Sequence, residues 1–162
     1  MNQSPRPLRR GAFSIVASLA AVFCLCLSAS HAAGFDFVKG LFVTEVTGYG
    51  QYTEHPSPAF SQQEKITAYL EVNGFENKKE GDMYQLDLVL DLLVKDKSGK
   101  VGVEQKGVVV SKNIVTDPMK GMYFTVTIDP SLLRPARYIL TFVATDNNTG
   151  RKASLDLPIQ VK

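Results

Sequence analysis

The sequence predicts an all-β fold, a single sandwich of seven to eight antiparallel strands. Three observations predict it. Apolar residues recur at every second position in one segment after another, Gly, Pro, Asn and Asp gather between those segments, and no long stretch carries a helical period. Short strands separated by turn residues favour two stacked sheets over a barrel.

The clearest pair of strands lies in the C-terminal part of the chain. Tyr138, Leu140, Phe142 and Ala144 alternate with β-branched residues, and Ala153, Leu155, Leu157, Ile159 and Val161 alternate with polar ones. Asp146-Asn147-Asn148-Thr149-Gly150 between them is built from turn formers. Pro158 cannot donate to a ladder, which places its strand near an edge or a bulge.

The first 32 residues stand outside this fold. Arg6, Arg9 and Arg10 precede an apolar run from Ala12 to Leu27, and small residues lead to Ser30-His31-Ala32. That is the layout of a secretory signal peptide, with cleavage expected after Ala32. The run is shorter than the roughly 20 residues a membrane-spanning helix needs, so no stable insertion is expected after cleavage. Both cysteines, Cys24 and Cys26, fall inside the signal, so the exported chain must hold together by core burial without a disulfide. Removing 32 of 162 residues leaves 130, enough for one domain with its own core. The removed segment takes three of the 18 basic residues and none of the 16 acidic ones, so the balance becomes 15 against 16. Nothing in that balance points to nucleic acid.

The expected order is a signal peptide over 1–32, a lead-in over 33–40 with Phe35 and Phe37 tucked against the sandwich edge, and a sandwich domain over 41–162. Leu41 to Thr47 reads as the first strand, and Gly48 to Phe60 as a strand end running into a long loop. Lys65 to Asn73 alternates with Ile66, Ala68, Leu70 and Val72 inward and Lys65, Thr67, Tyr69 and Glu71 outward. Gly74 to Asp82 reads as a charged loop. Tyr84 to Lys95 is the longest strand, with Asp87, Val89, Asp91 and Leu93 on its outer face. A turn at Asp96 to Lys100 with Gly99 leads to two shorter strands, Val101 to Gln105 and Val108 to Asn113. Met122, Phe124, Val126 and Ile128 form the next inward set. Asp129 then caps a single helical turn with Pro130 at its first position.

The segment Leu133-Arg134-Pro135-Ala136-Arg137-Tyr138 resembles the tyrosine corner of fibronectin type III and immunoglobulin-like domains. There a tyrosine at the start of the penultimate strand bonds back to upstream backbone. More broadly, the chain is similar to small secreted bacterial immunoglobulin-like domains of unassigned role, over nearly all of the expected exported part. Ala136 departs from the Gly often found in such corners, and the absence of a Cys pair and of Trp excludes an antibody-type domain. The resemblance implies a fold and brings no catalytic residue with it.

The chemistry expected of the exported chain is sparse. His55 is its single histidine and sits in a Pro-rich loop away from any nucleophile motif, so Ser-His-Asp or Cys-His catalysis has no constellation to use. Glycosidase-type work by Asp87 and Asp91 is conceivable from their shared face, but ion pairing with lysines of a neighbouring strand is the expected role. Asp146, Asn148 and Gly150 lack the remaining ligands of a calcium loop. No enzyme activity, metal or cofactor is expected.

What remains is surface. Tyr49, Tyr52, His55 and Phe60 in the first long loop, with Tyr69 beside them, are the candidate binding residues, and Val89, Leu93 and Tyr123 are expected to extend that outer face. The alternative for these aromatics is closure of the core end. Leu133, Pro135 and Tyr138 are structural. The sequence therefore points to a periplasmic or secreted non-enzymatic module whose partner is another envelope or secreted protein, an exposed strand offering one way to recruit it. Two small-ligand alternatives stand beside it. One is carbohydrate held by Tyr49 and Tyr52, and the other is copper held by His31 and His55 if the signal is cut after Ser30.

Overall fold

The structure, a computed structural model, describes residues 34–162. Its larger sheet is built around the C-terminal hairpin. Strand β9 (Ala136–Asp146) pairs with β10 (Arg151–Val161) without a register break, from Arg151 opposite Asp146 to Val161 opposite Ala136. The period of two places Leu140, Phe142 and Ala144 in the core together with Ala153, Leu157, Ile159 and Val161. Tyr138 and Leu155 pack against that core half-buried.

On the other side of β9 lies β6 (Met83–Asp96), which buries Leu86, Leu88, Leu90, Leu92 and Val94. Beyond it lies β7 (Val101–Val115) as the last strand of the sheet. Two short strands complete this layer: β3 (Ala59–Phe60) runs parallel to the end of β10, and β5 (Lys78–Glu80) pairs with the start of β6. Pro158 falls just short of the β3 pairing, where β10 is an edge and no donor is missed.

The smaller sheet has the order β2-β1-β4-β8, from β1 (Asp36–Gly48), β2 (Gln51–Glu54), β4 (Ile66–Asn73) and β8 (Gly121–Ile128). Ile66, Ala68, Leu70, Val72, Phe124 and Val126 face the larger sheet and close the core. Gly40 of β1 lies so close to Leu155 of β10 that a Cβ there would overlap its side chain, which fixes β1 opposite β10.

Four boundaries differ from the sequence reading. The segment over 48–60, read as a strand end and a long loop, contains β2 and β3. β1 begins at Asp36, because the lead-in pairs with the end of β4 and Phe35 is buried beside it. The charged segment over 74–82 contains β5. The two strands expected over 101–113 are one, interrupted by a bulge: Gly107 has φ +61°, and its N–H donates to the Asp91 carboxylate at 2.7 Å.

The corner between the sheets follows the sequence. Asp129 accepts a hydrogen bond from Ser131 N at 2.9 Å and caps a 3₁₀ turn over Pro130–Leu132. Leu133 donates its N–H to Pro130 O, and its carbonyl accepts from Gln62 Nε2 at 2.7 Å. Exposed Pro135 then leads into β9, and the Tyr138 hydroxyl donates to Arg134 O at 3.0 Å. Tyr138→Phe removes that one bond while keeping the packed ring. It is expected to lower stability by about 1 kcal/mol, read as a shifted urea midpoint with an unchanged slope.

Candidate functional site

The outer face of the smaller sheet is covered along β4, where Tyr69 and Glu71 are buried, and open along β8, where Tyr123, Thr125 and Thr127 are exposed. The cover is aromatic. β1 pairs with β4 as far as Phe42, and from Val43 onward it pairs with β2 instead. The resulting β1–β2 hairpin doubles back over Tyr69 and Glu71 towards Tyr123; Glu71 stands opposite Tyr123 across β4 and β8, and Tyr69, opposite Thr125, meets Tyr123 on the diagonal. Tyr52 lies on Tyr69 with ring centroids 4.7 Å apart, and Tyr69 stacks on Tyr123 at 5.4 Å. Tyr49, at the hairpin tip, meets Tyr123 edge-on at 6.3 Å. Each such pair contributes about 0.5–1.5 kcal/mol beyond its buried area.

Polar contacts pin the hairpin to the stack. Gly50 N donates to the Tyr69 hydroxyl at 2.7 Å, and that hydroxyl donates to Glu71 Oε1 at 2.8 Å. Lys39 Nζ reaches the Tyr52 hydroxyl at 2.9 Å, which holds the ammonium above its ordinary pKa. Burial first, and then the hydrogen bond and charge of Glu71, push the Tyr69 phenol up to about 12, against the opposing bond from Gly50. Burial and Glu71 push Tyr49 in the same direction. A phenol whose pKa is raised by folding stabilises the fold fully below its unfolded value of about 10, and that contribution is lost as pH rises towards 12. One tyrosine is therefore expected to titrate near pH 12 by ultraviolet absorbance. Tyr69→Phe should remove that late step.

Tyr69 and Glu71 thus occupy the outer side of β4 as the alternation requires, but they are buried, because the hairpin lies over them. Tyr52, on the hairpin itself, is half-buried against Tyr69. Tyr49 at 49%, Tyr123 at 37% and Met119 at 36% remain exposed. With Lys120, Gly121 and Met122 they line a shallow groove of about 360 Å³. At its floor Gly121 admits the Tyr49 hydroxyl, which a Cβ would approach to 2.7 Å. Asn73 Oδ1, beside the same glycine, is the one buried side-chain oxygen or nitrogen without a hydrogen-bond partner among the described residues.

The remaining candidates lie elsewhere. Phe60 is a core residue, packed edge-on against Phe42 at 5.2 Å, and offers nothing to a ligand. His55 stacks on Phe60 at 4.5 Å, with Nε2 2.9 Å from Glu64 and Nδ1 beside Ser57 O. His31 lies outside the described residues, and among those described no cluster of three His, Cys, Asp or Glu side chains is placed to hold a metal. Val89 and Leu93 belong to the larger sheet, so they do not extend the tyrosine face. Asp87 accepts from Asn147 Nδ2 at 2.8 Å and pairs with Lys112 at 3.1 Å, and these two partners hold its carboxyl below the usual range. Asp91 holds the bulge at Gly107, so each of the two carboxylates has its own structural partner.

Lys39, Glu71, Asn73 and Met119 are members of the site that sequence reasoning passed over. The available signal was the i, i+2 spacing of Tyr69 and Glu71, which puts a carboxylate beside a phenol on one sheet face.

Among solved structures the chain is similar to the C-terminal domain of Wzt, with a TM-score of 0.51, 13% identity, and coverage of 80% of this chain and 74% of that one. The fold is an immunoglobulin-like β-sandwich. It also matches a Niemann-Pick type C2 protein from the Japanese carpenter ant (TM-score 0.48, 6% identity, 80% and 93% covered). A third match is the CARDB domain of a Pyrococcus furiosus protein (TM-score 0.39, 9% identity, 79% and 90% covered). At these identities the likeness is one of fold alone. No protein-family model matches the sequence, and no curated protein matches it.

Proposed function

We propose that the chain is an exported, non-enzymatic β-sandwich that serves as a protein-interaction or structural module of the cell envelope, and that it meets its partner through Tyr49, Tyr123 and Met119. The observation that carries the reading is the rigid seating of an exposed tyrosine pair. Tyr49 and Tyr123 project from a stack whose lower members, Tyr52 and Tyr69, are already fixed by packing and hydrogen bonds. Ordering such rings on binding costs little further entropy, and Tyr and Met are enriched at protein interfaces. The N-terminal segment, basic and then apolar, supports export.

The test is capture of a partner by the tagged, exported protein after crosslinking of intact envelopes. A stoichiometric partner is expected with the wild type. The Tyr49→Ser/Met119→Ser variant should lose it by at least about tenfold while remaining cooperatively folded, its melting temperature lower by only about 2–8 °C. Capture of no partner, or equal capture by the variant, overturns the reading.

A small-ligand role has one specific observation in its favour. Half of the Tyr49 ring is exposed at the edge of the groove, where a sugar ring would stack on it, whereas Asn73 Oδ1 beneath is buried and closed to a ligand in this conformation. A glycan array without hits disposes of it. The copper alternative depends on His31 as the N-terminus, and an intact mass that starts at Ala33 ends it.

A further inference from the structure

Strand β8 is an undefended edge. It pairs with β4 over its whole length without a register break, and its other side pairs with nothing among the described residues. Sheet edges are ordinarily guarded by a charge, a proline or a bulge. Gly121–Ile128 contains none of these, whereas the neighbouring edge β7 has Lys106, Lys112 and the bulge at Gly107.

Next to that edge the sandwich is open. β1 faces β10 at one end of the two layers, and at the other end β7 meets β8 where Ser111 lies against Met122 and leaves a gap between Val103–Val108 and Thr125–Ile128. The gap is a groove of about 470 Å³ whose apolar lining includes Leu92, Val94, Val103, Val108, Val126 and Leu132. Leu132 is 89% exposed at its rim and Val103 42%.

We propose that β8 receives an extended segment of another polypeptide, apolar at alternate residues, which continues the smaller sheet and fills this groove. The bare row of N–H and C=O groups on β8 decides the chemistry of the occupant. An acyl chain laid there would bury those groups unpaired, whereas another main chain satisfies them. A second copy could pair its own β8 with this edge but would leave the groove empty, because Phe124 and Val126 of that strand are committed to its own core. The occupant is therefore a segment with no sandwich of its own behind it. The inference rests on the chain being a protein-binding module and adds a second surface to it.

The test uses the purified domain and two displayed libraries of peptides of about eight residues, an ordinary strand length. One library carries Val, Ile or Leu at alternate positions, and the other carries the same residues at helical spacing. Enrichment of the alternating library is expected, with slowed hydrogen exchange at Phe124–Ile128. N-methylation of the peptide amides that face β8, and the Val103→Asp/Leu132→Asp pair at the exposed rim, should each weaken binding by about 10–100-fold. Tyr49→Ser should leave it unchanged, so this result and the envelope capture can fail separately. Equal enrichment of both libraries, undiminished binding of the N-methylated peptide, protection that maps to the tyrosine face, or a β8-protected dimer without peptide would each overturn the proposal.

Discussion

Replacing Tyr69 with alanine is expected to lower the stability of the domain by roughly 3–5 kcal/mol, the range for truncating a fully buried aromatic ring. The ring is in contact with Tyr52 on one side and Tyr123 on the other, and its hydroxyl is both acceptor for Gly50 and donor to Glu71. The truncation therefore removes the packing between hairpin and sheet, and it also leaves the buried Glu71 carboxylate without this donor. Tyr69→Phe separates the two effects. It keeps the ring and loses only the hydroxyl bonds, for a cost of about 1–3 kcal/mol. Equilibrium urea unfolding gives both numbers. Hydrogen exchange locates them, with the amides of the hairpin, Gly50 among them, expected to open first in the alanine variant. Because Tyr49 and Tyr123 are held by the same stack, Tyr69→Ala should also abolish partner capture, whereas Tyr49→Ser should weaken capture at a stability cost of only about 0.5–1.5 kcal/mol, that of its pair with Tyr123. A Tyr69→Ala protein within 1 kcal/mol of wild type would show that the hairpin is not seated on this face.

How far the sequence could be read follows from which physical signal each feature leaves in it. Alternation names the side of a strand a residue occupies, and it placed Leu140, Phe142, Leu88 and Leu90 correctly because a sheet face bordering a core must be continuous. Tyr138 was legible for a different reason. Its bond to Arg134 O is local and needs only the short spacing between the two residues. Alternation is silent, however, about what lies over the other face. Tyr69 and Glu71 read as solvent-facing until the hairpin that covers them is known, and the bend at Phe42–Val43 that sends it there leaves no turn residue in the sequence. Phe60 was misplaced by the reverse argument. Its Pro-rich surroundings read as loop, yet two residues of pairing with β10 are enough to carry the ring into the core. Gly107 reads as a break between strands for the same reason: a left-handed glycine marks a turn and a bulge equally well, and the Asp91 carboxylate that accepts its N–H sits on another strand.

The second large effect is expected at Asp146, where a carboxylate is fully buried at the end of β9. Its oxygens accept from Glu76 N and Asn148 N at 3.0 Å, from Thr149 Oγ1 at 2.8 Å, and from Arg151 Nη2 at 3.4 Å. Arg151 also reaches Gly74 O at 2.9 Å, so one side chain ties the β9–β10 turn to the segment that leaves β4. A buried charge is stable only when its lone pairs are used, and here donors of four residues use them. Asp146→Ala strands those donors and is expected to cost about 3–5 kcal/mol, a large part of the 5–15 kcal/mol that holds an ordinary domain together. For a domain of this size the melting temperature should fall by roughly 10–20 °C. Asp146→Asn keeps the shape but turns an NH₂ group towards donors, so it should recover only part of the loss. The same geometry distinguishes a clasp from a cation site. If protein donors fill the carboxylate, neither calcium nor a chelator should move the wild-type melting temperature. A calcium-dependent rise that Asp146→Asn abolishes would make this turn a metal loop.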